Sequence, residues 1–237
     1  MFINIMKNSM SKIFFCVFSA LCALQLIATS QYAAAQSAPS SSEIANYEGL
    51  HKAAHLGQTE IVEKLIASAA DIEARDDSAR TPLIIAAFAS HDDVVKVLAD
   101  AGADLNAFEH RDYDIVTIAA VADDLALLDL ALDLGASAGN ITSPYEGTAL
   151  IAAAHLGHHQ VVKRLIESKA PLDHINNIHW TALIESVVLG DGGAAHVETA
   201  RLLVEAGADQ SIGDSNGVTA REHADQRGYK EMLQLFD

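Results

Sequence analysis

Thr81-Pro82-Leu83-Ile84-Ile85-Ala86-Ala87 is followed by Val94-Val95-Lys96-Val97-Leu98 and then by Ala101-Gly102-Ala103-Asp104-Leu105-Asn106-Ala107. Each part has a local physical reading. Thr81 can cap a helix start, and proline is tolerated in the first helical turn. The Ala86-Ala87 pair makes a thin helix that neighbours can approach closely. The aliphatic run from Val94 puts an apolar stripe on a second helix. Gly102 stands where a helix can stop in a left-handed conformation. The stretch predicts helix, turn, helix, and then a segment extending outward.

The pattern returns on both sides. Ala53-Ala54, Ala86-Ala87, Ala119-Ala120 and Ala153-Ala154 are spaced by 33, 33 and 34 residues. Ala70-Asp71, Ala103-Asp104, Ala136-Ser137, Ala170-Pro171 and Ala208-Asp209 run in step with them. Gly57 and Gly157 mark turns, and Ile61-Val62 and Leu65-Ile66 repeat the aliphatic spacing of a second helix. A fixed period near 33 decides the architecture, because such units bury their faces only against their neighbours.

Several motif elements in register resemble the ankyrin repeat: Thr81-Pro82-Leu83, Leu50-His51-Lys52-Ala53-Ala54, Gly147-Thr148-Ala149-Leu150, Trp180-Thr181-Ala182-Leu183 and Gly217-Val218-Thr219-Ala220. The resemblance covers roughly residues 43–237. It implies an all-α ankyrin-repeat solenoid of about six helix-turn-helix units with short β-turn or hairpin connections. The units fall at about 43–75, 76–108, 109–141, 142–175, 176–213 and 214–237. The third is degenerate, with Asp114-Ile115-Val116 in place of Thr-Pro-Leu and Asp123-Asp124 in place of the turn glycine. The fifth carries an insertion, about Asp191 to Ala195, whose Gly192-Gly193 suggests a flexible loop. The sixth is polar at Arg221, Glu222, His223, Asp225 and Gln226, as a capping unit with a wet outer face should be.

The first 35 residues read differently. Lys7 and Lys12 are their formal charges, Ile13 to Ala28 is an apolar run, and Ala33-Ala34-Ala35 precedes Gln36. That order predicts a secretory signal peptide at 1–35, cut after Ala35. The run is short for an uncleaved membrane span, and Leu21 before Cys22 does not resemble a lipoprotein signal. Small polar residues at 36–42 read as a linker. Both cysteines, Cys16 and Cys22, fall in the signal, so the mature chain is expected to lack thiols and disulfides. The formal charge is −17; losing two lysines leaves 13 basic against 32 acidic residues, or −19. That balance argues against nucleic acid and against anionic membrane surfaces, and suggests a basic protein partner.

No catalytic spacing stands out, so no enzyme activity and no cofactor are expected. The many carboxylates read as a solvated acidic surface. The tempting exception is His155, His158 and His159, which could hold zinc or copper if one helix aligned them. Gly157 interrupts that helix, so no metal is assigned and metal binding stays an alternative. His51 stands where the resemblance implies a histidine bonded to neighbouring backbone. The leucines from Leu125 to Leu134 make the second helix of unit three apolar nearly all round, which calls for burial between its neighbours or, as the alternative, cover by a partner.

The resemblance implies a binding module that meets a partner with its outward turns and the inner face of its first helices. The turn residues are Asp77, Arg80, His110, Arg111, Tyr113, Pro144, Tyr145, Asn177, Ile178 and Trp180. The helix-face residues are His55, Phe88, Val121, His155 and Val188. Tyr, Trp and Arg in this set are the types enriched at interface hot spots. The expectation is a monomer in the periplasm that inhibits or protects another exported protein. A self-associating structural array is a further alternative.

Overall fold

The computed structural model describes residues 38–236, and the chain from residue 36 onward forms its own compact unit. The expected signal peptide, its cleavage point and both cysteines lie outside the described residues. Thirteen helices are found among those described. A first short helix, α1 (Ser41–Asn46), is followed by six helix pairs. They are α2 (Gly49–His55) with α3 (Thr59–Ala67), α4 (Pro82–Phe88) with α5 (Asp92–Asp100), and α6 (Ile115–Ala122) with α7 (Leu125–Asp133). They continue as α8 (Ala149–Leu156) with α9 (His159–Glu167), α10 (Ala182–Val188) with α11 (Ala194–Glu205), and α12 (Ala220–Arg227) with α13 (Lys230–Leu233).

The first helix of every pair but the first is set by a side-chain cap. Thr81, Thr148, Thr181 and Thr219 accept a backbone N–H with the side chain, and Asp114 does the same in the degenerate unit. Burial pushes the Asp114 carboxyl up, against the bonds it accepts from Thr117 and Asn140. The second helices contribute one stripe each: Val94, Val95 and Leu98 in α5, and Val161, Val162 and Leu165 in α9, are fully buried. In α7, Leu127 and Leu128 are buried while Leu125, Leu130, Leu132 and Leu134 are half-buried, so neighbouring units cover much of its apolar girth.

Asp123 replaces glycine without loss of the turn. It adopts the left-handed conformation (φ 55°) at the end of α6, as Gly157 does (φ 73°) at the end of α8. Asp124 then caps α7 by accepting the Leu127 N–H. Adjacent units are also stapled by a residue at or near the start of the second helix in units two, four, five and six. His91 bonds the His55 carbonyl at 3.1 Å, His158 the Ala120 carbonyl at 2.9 Å, and His196 the His155 carbonyl at 3.1 Å. Tyr229 reaches Gly190 O in the same way. These donors satisfy carbonyls that helix ends leave open.

Two expectations change. Residues 41 and 42, read as linker, lie in α1. The cause is a capping box: Ser40 accepts the Glu43 N–H, and Glu43 accepts the Ser40 N–H. The insertion in unit five is tied down rather than open. Asp191 accepts from Gly193 N and from His196, Tyr229 lies against Gly192, and residues from Ala194 onward extend α11 to 12 residues.

Candidate functional site

Four of the five turns between pairs share one construction. A polar side chain at the base accepts N–H groups from its own loop: Asp76 from Ser78 and Arg80, Glu109 from Arg111 and Tyr113, Asn176 from Ile178 and Trp180, Asp214 from Asn216 and Val218. Each loop is closed by a backbone bond, Asp76 N to Arg80 O, Glu109 N to Tyr113 O, Thr142 N to Gly147 O, Asn176 N to Trp180 O and Asp214 N to Val218 O. Neighbouring tips are laced together by His110 N to Ser78 O, Ser143 N to Asp112 O and Asn177 N to Tyr145 O. The result is a rigid row of tips above the first helices.

The row sorts the expected site residues. Asp77, His110, Pro144, Asn177 and Ile178 are exposed; His55, Phe88, Arg111, Val121, Tyr145 and Trp180 are half-buried. Arg80 (1 %), Tyr113 (2 %), His155 (3 %) and Val188 (8 %) are buried, so their side chains do not offer contact area to a partner. The reason is register. Arg80, Tyr113 and Trp180 all close their loops, and in the first two the side chain turns under the tip. His155 and Val188 end short helices crowded by the next unit.

Arg80 and His155 are structural instead. The Arg80 guanidinium pairs with Asp76 (2.8 Å) and with Glu43, and Tyr47 donates its hydroxyl to Asp76 (2.8 Å). Burial pushes the Asp76 carboxyl up, but the Arg80 N–H, the Tyr47 hydroxyl and the guanidinium outweigh it and hold the carboxyl below its usual value. His155 Nδ1 bonds the carboxylate of Glu185 at 3.0 Å, and Asn176 Nδ2 bonds the other oxygen at 3.0 Å. Glu185 is 0 % exposed. Glu185, Glu109 and Asp114 thus depart from the expectation of a wholly solvated acidic surface.

The three histidines of the metal alternative are not brought together. Gly157 ends α8, His155 turns to Glu185, and His158 turns to Ala120. Among the described residues no group of three or more metal-type side chains forms. His51 does bond neighbouring backbone, with its Nε2 3.2 Å from Arg80 O.

Sequence reasoning missed Ile141 and Ile175. They are 56 % and 45 % exposed, beside Ile178 at 38 %. Each immediately precedes the base residue of its loop, at the positions of Arg75 and Phe108 one or two units earlier. An isoleucine at that turn-flanking register was the available signal. Together with Pro144, Tyr145 and Trp180 it makes the tips of units four and five the most apolar part of the row.

Tyr113 offers a direct check of the burial argument. Its hydroxyl is buried without a hydrogen-bond partner among the described residues, and burial pushes its pKa up to about 12. A buried unsatisfied hydroxyl costs about 1–3 kcal/mol. Tyr113→Phe should therefore unfold at equal or higher urea concentration than wild type. A midpoint lowered by the equivalent of about 1 kcal/mol would show that the hydroxyl is usefully bonded.

Comparison with known proteins agrees with this architecture. The family model described as ankyrin repeats (3 copies) matches residues 18–109 and 116–214. The Escherichia coli K12 protein YahD, named as an ankyrin repeat protein, is 33% identical over 185 residues, covering 78% of this chain and 92% of that one. The Caenorhabditis elegans ankyrin repeat and KH domain-containing protein mask-1 is 27% identical over 180 residues, only 6% of its length. An ankyrin repeat domain of Acinetobacter baumannii superposes with TM-score 0.75 at 35% identity, covering 78% of this chain and 94% of that one. A second ankyrin repeat protein, from Enterococcus, gives TM-score 0.74 at 32% identity and covers 81% and 98%. Sequence period, stacked helix pairs and these matches agree: the chain belongs to the ankyrin-repeat family.

Proposed function

We propose that this chain is an exported, periplasmic protein-binding module that seats a basic protein on the tips of units four and five. The fold is that of a protein–protein interaction module. The observation that carries the finer reading is the exposure of Ile141, Ile175 and Ile178 on two adjacent, backbone-laced tips. Isolated exposed apolar residues are ordinary, but contiguous ones on a rigid scaffold mark a contact surface. Tyr145 and Trp180 beside them add the aromatic anchors that dominate interface energies. The charge of −17 favours a cationic partner by steering its approach. Binding itself, without catalysis, is the role. No helix among the described residues is long and apolar enough to cross a membrane.

The test uses the protein recovered from a periplasmic fraction, where its first residue should be Gln36. It is then used as bait, beside Ile175→Ser with Ile178→Ser and beside a control changed on the outer helices, Lys163→Ala. The tip variant should lose the partner by at least about tenfold while the control keeps it, since losing two anchors costs more than about 1.4 kcal/mol. Equal recovery by all three baits would overturn the tip assignment, and a first residue of Met1 would overturn export.

A further inference from the structure

The lacing of the tips stops at unit five. The tip bases, Asp76, Glu109, Thr142, Asn176 and Asp214, are spaced by 33, 33, 34 and 38 residues. At the first three boundaries the residue after the base donates its N–H to a carbonyl on the tip before: His110 to Ser78, Ser143 to Asp112, Asn177 to Tyr145. The matching bond at the fourth boundary would run from Ser215 N to Ile178 O or His179 O. No such bond forms among the described residues. Units five and six are still joined elsewhere, by Asp209 N to Asp173 at 2.8 Å and by the Tyr229 hydroxyl to Gly190 O at 3.1 Å. The gap is therefore local to the tips. It follows the longest second helix, α11, which has 12 residues where α5, α7 and α9 each have nine.

The unmade bond leaves a main-chain edge with one polarity. Ile178, His179 and Ser215 are exposed, and no described residue donates to either carbonyl. The Ile178 and His179 N–H groups are already spent on Asn176 within their own loop. The unit-five tip thus offers acceptors and takes donors. An unpaired main-chain edge is a template for another chain, and the three intact boundaries show what fits it here: the backbone N–H of a neighbouring segment.

The side chains set the chemistry of that segment. Ile175 and Ile178, on the same tip, are 45 % and 38 % exposed. From Glu205 to Val218 the chain carries Glu205, Asp209 and Asp214 and no lysine or arginine. Asp173, bonded to Asp209 N, is exposed as well. Side chains alternate along an extended strand, so one set can meet the isoleucines while the other meets the carboxylates. We infer that the partner is gripped here by an extended segment of alternating apolar and basic residues, whose main-chain N–H donates to the Ile178 or His179 carbonyl in place of Ser215. The pairing presupposes the seat on the tips of units four and five proposed above, and adds to it a main-chain contact that gives affinity beside side chains that give selectivity.

The probe is a short peptide alternating valine and lysine, acetylated and amidated at its ends. Binding to the purified protein is followed by the fluorescence of Trp180, the sole tryptophan, and by amide NMR. The peptide should bind with a Kd below about 1 mM and shift the amide signals of residues 175–180 and 215–217. Two further peptides, N-methylated on the valines or on the lysines, each lose the N–H donors of one edge and keep every side chain. At least one of them should bind about fivefold or more weakly, the worth of one hydrogen bond. A valine–glutamate peptide should not bind at the same concentrations. Ile178→Ser should weaken the valine–lysine peptide and Lys163→Ala should not. If both N-methylated peptides bind as the parent does, the contact is through side chains and main-chain pairing is overturned, while the seat on the tips stands. A valine–lysine peptide that does not bind, or that shifts amides elsewhere, overturns the proposal, and the bait comparison above then judges the tips separately. Should the protein alone form dimers that Ile178→Ser dissolves, a second copy occupies the edge and the proposal fails.

Discussion

Glu185→Ala should destabilise the protein by about 3–5 kcal/mol, with the loss concentrated in units four to six. The carboxylate is wholly buried and accepts from His155 Nδ1 and Asn176 Nδ2, each at 3.0 Å. Its removal takes the acceptor from two buried donors, each worth about 1–3 kcal/mol when left unsatisfied, and adds the cost of a void. The loss does not stop at the helix. Asn176 Oδ1 holds the Ile178 and Trp180 N–H groups, so the same carboxylate fixes the tip that carries both side chains. In a stack where each unit contacts only its neighbours, amide exchange should rise in α8 to α13 while α4 and α5 stay protected. Uniform exchange along the chain, or a urea midpoint equal to wild type, would refute the assignment. Changing the pair to the residues of unit two, Glu185→Ile with His155→Phe, should recover part of the loss, because Ile85 and Phe88 occupy those registers. Recovery stays partial because Asn176 Nδ2 still has no acceptor.

The period of 33 made the stack legible, together with its caps and its polar last unit. Those features are local: a threonine and the apolar residues behind it identify a helix wherever the chain runs. The site was less legible because it depends on register within a five- or six-residue loop. Tyr113 looked like a contact residue by type, yet it closes its loop at the position of Arg80 and turns inward. Ile141 and Ile175 were passed over, yet they precede the base residue and face solvent. Glu185 was hidden among 32 acidic residues, although Ile85, Ile118 and Ala152 in the same register mark it as misplaced on any surface. Its partner His155 lies 30 residues away in the neighbouring unit, so no short motif joins them.

The degenerate third unit shows why sequence damage need not be structural damage. Asp123 pays the steric cost of a left-handed residue, which aspartate tolerates better than most. Its neighbour Asp124 caps the following helix in the position that histidine fills in units two and four. The staple from the next unit survives too, because His158 reaches a main-chain carbonyl of α6 and a carbonyl is independent of side-chain identity. Units can therefore diverge in sequence while the stack keeps its pitch.

Arg80→Ala should cost about 3 kcal/mol and release α1 from the array, since breaking a buried ion pair on one side costs about 3–5 kcal/mol. The guanidinium is 1 % exposed and joins two carboxylates from different segments, Asp76 on the first tip and Glu43 on α1. Helix α1 has no buried residues of its own; Glu43, through Arg80 and the Ser78 hydroxyl, fastens its first turn, while the buried Tyr47 at its C-cap, bonded to Asp76, fastens its end. Amide exchange at residues 41–46 should rise toward that of an isolated peptide in Arg80→Ala, because six residues are too few for a helix to persist alone and the Tyr47–Asp76 bond holds only its end. Arg80→Lys keeps the charge but not the fork that spans both carboxylates, so it should fall between the two. The pH dependence follows from Glu43. The Ser40 hydroxyl first, then the Ser40 N–H, the Ser78 hydroxyl and Arg80, hold its carboxyl near pH 2 against an ordinary value of 4.5. A depressed carboxyl stabilises fully above its unfolded value and loses that contribution as pH falls through its folded one. Wild type should therefore keep α1 fastened at pH 5 and release it between about 4.5 and about 2, narrowing its gap to Arg80→Ala over that window. Should the two proteins show the same protection of α1 at neutral pH, the helix is held by something other than the Glu43–Arg80 pair.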